Sequence, residues 1–154
     1  MEKVLEDRLK AELLFHVLLF SYQKVVRDIL KTGSAIFVHP TLNAITEVSD
    51  KMGIDLIKGE TVDEVFENYS KMLVGSGLVK GARFEKISPG KYMLNIDRYI
   101  YAKTIHAALK PKCSTCRCAL VAMAILEKLS GGKAKLADSE FLEEGTKTVI
   151  ECQR

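Results

Sequence analysis

The spacing of the apolar residues switches between a helical and an alternating period along this chain, and that limits its fold more than any single residue does. Up to about residue 74 the apolar positions recur every three or four residues. Leu5, Leu9, Leu13, Val17, Val25 and Ile29 form one stripe, widened by Leu14, Leu18 and Phe20, which predicts one long helix over residues 3–31 ended by Gly33. Residues 35–38 read as a brief strand and residues 41–52 as a helix stopped by Gly53. Thr61 followed by Glu64 reads as a capping box opening a further helix to about residue 74. Residues 78–87 and 91–96 then flank Ser88, Pro89 and Gly90, a turn signal that predicts a β-hairpin. Helical spacing returns over 97–109 and over 118–129. Two final strands, 133–138 and 146–152, follow Gly131 and Gly132 and are joined by a Glu-rich link. Helices, hairpin, helices, hairpin is the order of an α+β domain with helices packed on a twisted antiparallel sheet.

The size of the chain, 154 residues, suits one domain spanning residues 1–154. A net charge of +3 with signs mixed along the sequence gives no case for nucleic acid. Acidic residues sit where a secretory signal would carry bases, and the longest apolar stretch, residues 13–20, is far too short to span a bilayer. A cytoplasmic protein with reduced thiols is expected.

Reduced thiols give weight to Cys113, Cys116 and Cys118, which fall within six residues and precede a strongly apolar helical run. Cys152 is the fourth cysteine. Four thiolates make a tetrahedral zinc site if the last strand folds back onto the cluster. Cys118 opens the predicted helix, where the macrodipole favours a thiolate. His106 competes for one position, and three cysteines with His106 make an equally sound ligand set. The alternatives are cysteines buried as small hydrophobes and a redox dithiol. The tight spacing of Cys116 and Cys118 argues against an iron–sulfur cluster. A closed four-ligand site is structural, because no position is open for water.

The other candidates have plain readings. Gly75 and Gly77 precede a strand, where a dinucleotide loop needs a helix. His16, on its apolar helix, reads as a core or interface residue, and His39 as a loop residue. Paired carboxylates, a nucleophile with its base, and a cofactor motif are all missing, so the expectation is a domain without catalysis of its own.

The C-terminal segment carries a resemblance. Its cysteine turn, the apolar run from Cys118 to Glu127, Gly131-Gly132-Lys133, the stretch from Ser139 to Gly145, and Thr148 to Cys152 together resemble the 4-vinyl reductase (V4R) family, in its small stand-alone archaeal members from methanogens. The resemblance implies a fold shared with ligand-binding domains of nitric-oxide signalling and Golgi-trafficking proteins. It implies an internal pocket for a small hydrophobic molecule and a homodimer formed through N-terminal helices. It also implies a structural zinc, with Cys152 and the 113–118 region at the matching positions. The later cysteine of the phenol-sensing relatives has no counterpart, and the extra thiols at 113–118 stand in for it. The pocket is expected between the first helix and the sheet, lined by Phe15, Leu19, Phe37 and Met123. Two other readings remain. One is a reductase or accessory factor acting on a tetrapyrrole-type cofactor, and the other is a trafficking-type protein-interaction module.

Overall fold

A computed structural model describes residues 14, 17–18, 21–26, 28–29, 34–53, 55, 57–100, 102 and 116–153. Their architecture is α+β. A 3-10 turn, Ser34–Phe37, leads into helix α1, Val38–Met52; α2 follows at Val62–Gly75. Strands β1, Gly81–Ser88, and β2, Lys91–Asp97, form the first hairpin. Helix α3, Arg117–Ser130, precedes the second hairpin, β3, Lys133–Phe141, and β4, Thr146–Gln153. The four strands make one open antiparallel sheet in the order β1-β2-β4-β3.

Local chemistry accounts for the element ends. Thr61 is extended and its side chain accepts the Glu64 N–H at 3.3 Å, while the Glu64 carboxylate accepts the N–H of Glu60 at 3.0 Å. The cap forms as expected, with the glutamate reaching one residue further back. Gly53 and Gly131 end α1 and α3 with positive φ of 63° and 68°, a conformation that glycine adopts without a Cβ penalty.

Residues 35–38 are not a strand. They belong to the 3-10 turn and the start of α1, which begins three residues earlier than the sequence suggests. Pro40 is the reason. It is the third residue of α1, where its missing N–H would have had no intrahelical acceptor. The Glu-rich link is also shorter than expected. β3 runs on to Phe141 through a bulge between Leu136 and Asp138.

Helical backbone is present at residues 14, 17–18, 21–26 and 28–29; the rest of the predicted 3–31 helix lies outside the described residues. Of the predicted 97–109 helix, Asp97 instead ends β2 and residues 98–100 are not helical, while residues 101 and 103–109 lie outside the described residues.

The core lies between the sheet and α3. Tyr92, Leu94 and Ile96 of β2 stand directly opposite Ile150, Thr148 and Thr146 of β4, so alternate residues build one buried face. Helix α3 is buried along most of its length, from Cys118 through Leu126, with only Val121 partly open. Such a helix packs on several sides at once: against the sheet, α1 and α2. Phe66 of α2 stacks on Phe84 of β1 with ring centroids 4.0 Å apart and meets Tyr92 edge-on at 5.0 Å. This aromatic cluster fixes α2 over the first hairpin. Among the described residues no helix is long and apolar enough to cross a membrane.

Candidate functional site

The described cysteines occupy two places at opposite ends of α3. At its N-terminus Cys116 is the cap residue, and its carbonyl accepts the N–H groups of Ala119 and Leu120 at 3.0 and 3.1 Å. Its half-buried sulfur accepts the Thr146 hydroxyl at 3.4 Å. The neighbouring Cys118 thiol is buried, and its backbone carbonyl accepts the Tyr69 hydroxyl at 3.2 Å. Arg117 donates from Nη1 to the Tyr99 hydroxyl at 3.2 Å.

This arrangement separates the two thiols chemically. The Cys118 thiol beside it, the Thr146 hydroxyl and the N–H groups of the first helical turn hold Cys116 down to about 6, against the opposing effect of burial. Cys118 is pushed up by sharing that hydrogen bond and by burial. One thiolate beside one thiol is what a pair of sulfurs on a helix N-terminus should give, because the helix end stabilises a single negative charge and low dielectric disfavours a second. Burial also pushes Tyr69 and Tyr99 well above the ordinary phenol range.

Cys152 lies at the other end. Its sulfur is 3.0 Å from the Ser130 hydroxyl, at the C-terminus of α3, and its N–H donates to the Gly90 carbonyl at 2.8 Å. A Cβ on Gly132 would come within 2.5 Å of that sulfur, so only glycine lets the chain pass there. Cys116 contacts Thr146, at the start of β4, and six residues of extended strand separate Thr146 from Cys152, on the order of 20 Å. The expected convergence of Cys152 with Cys116 and Cys118 on one ion is therefore corrected. The last strand does fold back against α3, but it runs so that its first residue, not its last thiol, meets the cluster. Cys113 and His106 lie outside the described residues. Among the described residues no group of three or more His, Cys, Asp or Glu side chains is placed to hold a metal.

Two of the four expected ligand-lining residues are described. Phe15 and Leu19 lie outside the described residues. Phe37 is half-buried in the 3-10 turn. Met123 has no exposed surface and belongs to the continuous core. It is packing, because α3 is covered on the side where Met123 points.

Among the described residues, two clefts lie elsewhere, and Tyr92 lines both. The larger, about 520 Å³, is bounded by Val62 at the start of α2, the Pro89-Gly90 turn, Leu126, Leu129 and Ser130 at the end of α3, and Cys152. Its walls are mainly apolar, with the thiol and the Ser130 hydroxyl as polar points. The smaller, about 350 Å³, lies between α2 and β1 and includes Asp63, Glu67, Arg83 and Lys86. Between them the Asp63 carboxylate accepts the Tyr92 hydroxyl at 2.7 Å and the Lys86 ammonium at 2.9 Å. Those two hydrogen bonds hold Asp63 below the usual carboxylate range and fix the Tyr92 ring as a partition. The sequence offered signs of the larger cleft in Leu126, Leu129 and Ser130, spaced three and four residues apart just before Gly131-Gly132. Their meeting with Pro89 and Gly90 depends on strand order, which spacing does not reveal.

No family model matches the chain, and no curated protein matches it.

Proposed function

We propose that this chain is a binding domain for a small hydrophobic molecule, of the 4-vinyl reductase type, with no catalysis of its own. The observation that carries the reading is the 520 Å³ cleft between Val62, Leu126, Leu129 and the Pro89-Gly90 turn. Its size and apolar walls suit a compact ligand, and its few polar atoms suit orientation rather than reaction. This reading moves the ligand from beneath the first helix to the far end of α3.

The same proposal includes a structural zinc at the N-terminal end of α3. Cys116 and Cys118 suit it, since one already favours the thiolate that zinc requires. Cys113 and His106 are the candidates to complete the set, and Cys152 is excluded by its distance. The zinc would tie the segment before α3 to the helix start.

The helical residues near the N-terminus support a homodimer. Leu14, Val17, Leu18, Tyr22, Val25 and Ile29 are 47–70% exposed on helical backbone, a stripe that water would not favour in a lone subunit. The same stripe favours a second reading, a trafficking-type interaction module, in which another protein covers it. A cytoplasmic setting suits the reduced thiols that the zinc requires.

The test is titration with the neutral dye N-phenyl-1-naphthylamine, comparing the wild type with Leu129→Trp, which fills the cleft. One saturable site per chain is expected, weakened at least about tenfold in the variant, or about 1.4 kcal/mol. Binding that is absent, or that the variant leaves unchanged, overturns the cleft as the ligand site.

A further inference from the structure

The geometry points to β1 as a self-pairing edge, through which two copies of this chain join their sheets into one continuous antiparallel sheet. Among the described residues β1 and β3 are the two outer strands of the sheet. An outer strand presents unpaired backbone N–H and C=O groups and is a template for a further strand unless something blunts it. β3 is blunted by its central bulge between Leu136 and Asp138. The irregularity of β1 lies at its end, between Lys86 and Ser88, which leaves Gly81 through Lys86 in regular register.

The charges on β1 discourage a foreign strand but match its own copy. Arg83 and Glu85 flank Phe84. In an antiparallel pair centred on Phe84, Arg83 stands opposite the partner's Glu85 and Glu85 opposite the partner's Arg83. Directly opposed residues lie about 4.5–5.5 Å apart at Cβ, close enough for both pairs to form. Within one chain Arg83 and Glu85 already form an ion pair, and their side chains are 74% and 40% exposed; pairing extends that contact into a ring of four alternating charges. An unrelated strand would leave these charges unmatched, and that mismatch is how charged edges select partners.

The other face of β1 fits as well. Directly opposed residues of an antiparallel pair share a face, so the two Phe84 rings meet on the helix side of the sheet. The 350 Å³ groove there, lined by Phe66, Phe84, Ala82, Glu67 and Ser70, has room for the incoming ring. The partner's Lys86 falls opposite Ala82, alongside the exposed Glu67 of α2. Backbone pairing, an aromatic contact and matched charges thus coincide in one two-fold arrangement.

This contact is separate from the N-terminal helical stripe and does not depend on the ligand reading. The experiment is sedimentation equilibrium of the full chain over a concentration series, for the wild type, Arg83→Glu, Glu85→Arg and the double exchange Arg83→Glu/Glu85→Arg. Each single reversal sets like charges opposite one another. The mass should fall by a factor of two or more in either single variant and return to the wild-type value in the double exchange, whatever the helical stripe contributes. Far-UV circular dichroism should be unchanged, since both side chains stand at the surface, and the two single variants test the pairing independently of each other. A wild type that is monomeric throughout, single variants with wild-type mass, or a double exchange that fails to restore the mass each overturns the proposal.

Discussion

Replacing Phe66 with alanine tests whether α2 is held to the sheet by the aromatic cluster. Phe66 is 1% exposed, stacks on Phe84 and meets Tyr92 edge-on. Emptying a buried phenylalanine site costs about 3–5 kcal/mol, and each lost ring pair about 0.5–1.5 kcal/mol beyond its burial. The site has little freedom to collapse, because Phe84 and Tyr92 belong to paired strands and Tyr92 is also tied to Asp63. The cost should therefore fall near the upper end, roughly 4–5 kcal/mol. A domain of this size has a total of about 5–15 kcal/mol, so the variant should fold but lose a large share of its margin. In urea, with a slope of about 2 kcal/mol per molar, the midpoint should fall by roughly 2 M at unchanged slope. Phe66→Leu, which keeps most of the volume, should lose about a third of that. The control is Ile87→Ala, at a side chain 52% exposed, which should cost no more than about 0.5 kcal/mol. If Phe66→Ala moves the midpoint no further than the control does, the cluster is not what fixes α2.

The remaining predictions concern the thiols and the backbone. Zinc content of the purified chain, read by elemental analysis, should survive Cys152→Ser and be lost in Cys116→Ser, because Cys152 lies at the far end of β4; the reverse pattern would reinstate the convergent site. In metal-free protein, the rate of Cys116 alkylation by iodoacetamide should rise with pH through a midpoint near 6, because the depressed pKa makes thiolate accumulate above that pH. A midpoint near that of a free thiol would refute the helix-end stabilisation. Gly145→Ala should destabilise by about 1–3 kcal/mol or more, since its Cβ would lie 2.1 Å from the Ile96 carbonyl oxygen; thermal unfolding at the wild-type temperature would show that the strands can separate there without cost.

Much of the fold was legible where a local rule decides it. Thr61 and Glu64 marked the start of α2, Gly53 and Gly131 the ends of α1 and α3, and Pro89-Gly90 the turn between β1 and β2. Each acts through neighbours only a few residues away, so the sequence carries the whole cause. The start of α1 was missed for a related reason: a proline such as Pro40 breaks a helix interior but is tolerated in a first turn, and only the surrounding packing decides between them.

The site was less legible, because it depends on direction as well as adjacency. Cys152 sits on a strand packed near α3, as expected, and Cys116 and Cys118 lie at the start of that helix. The sequence did not say which end of the strand meets which end of the helix, and that orientation sends Cys152 to Ser130 rather than to Cys116. Met123 failed for another reason. On a helix covered on several sides, an apolar residue is as well suited to core as to pocket, and burial by α1, α2 and the sheet decides for core.

The most direct test of the central claim is methyl NMR of the intact chain during titration with N-phenyl-1-naphthylamine. If the cleft at the end of α3 takes a small apolar ligand, the methyl signals of Val62, Leu126 and Leu129 should move together and saturate, while those of Leu94, buried at the middle of the sheet, stay in place. Saturation that moves other methyls and leaves those three unchanged would contradict it.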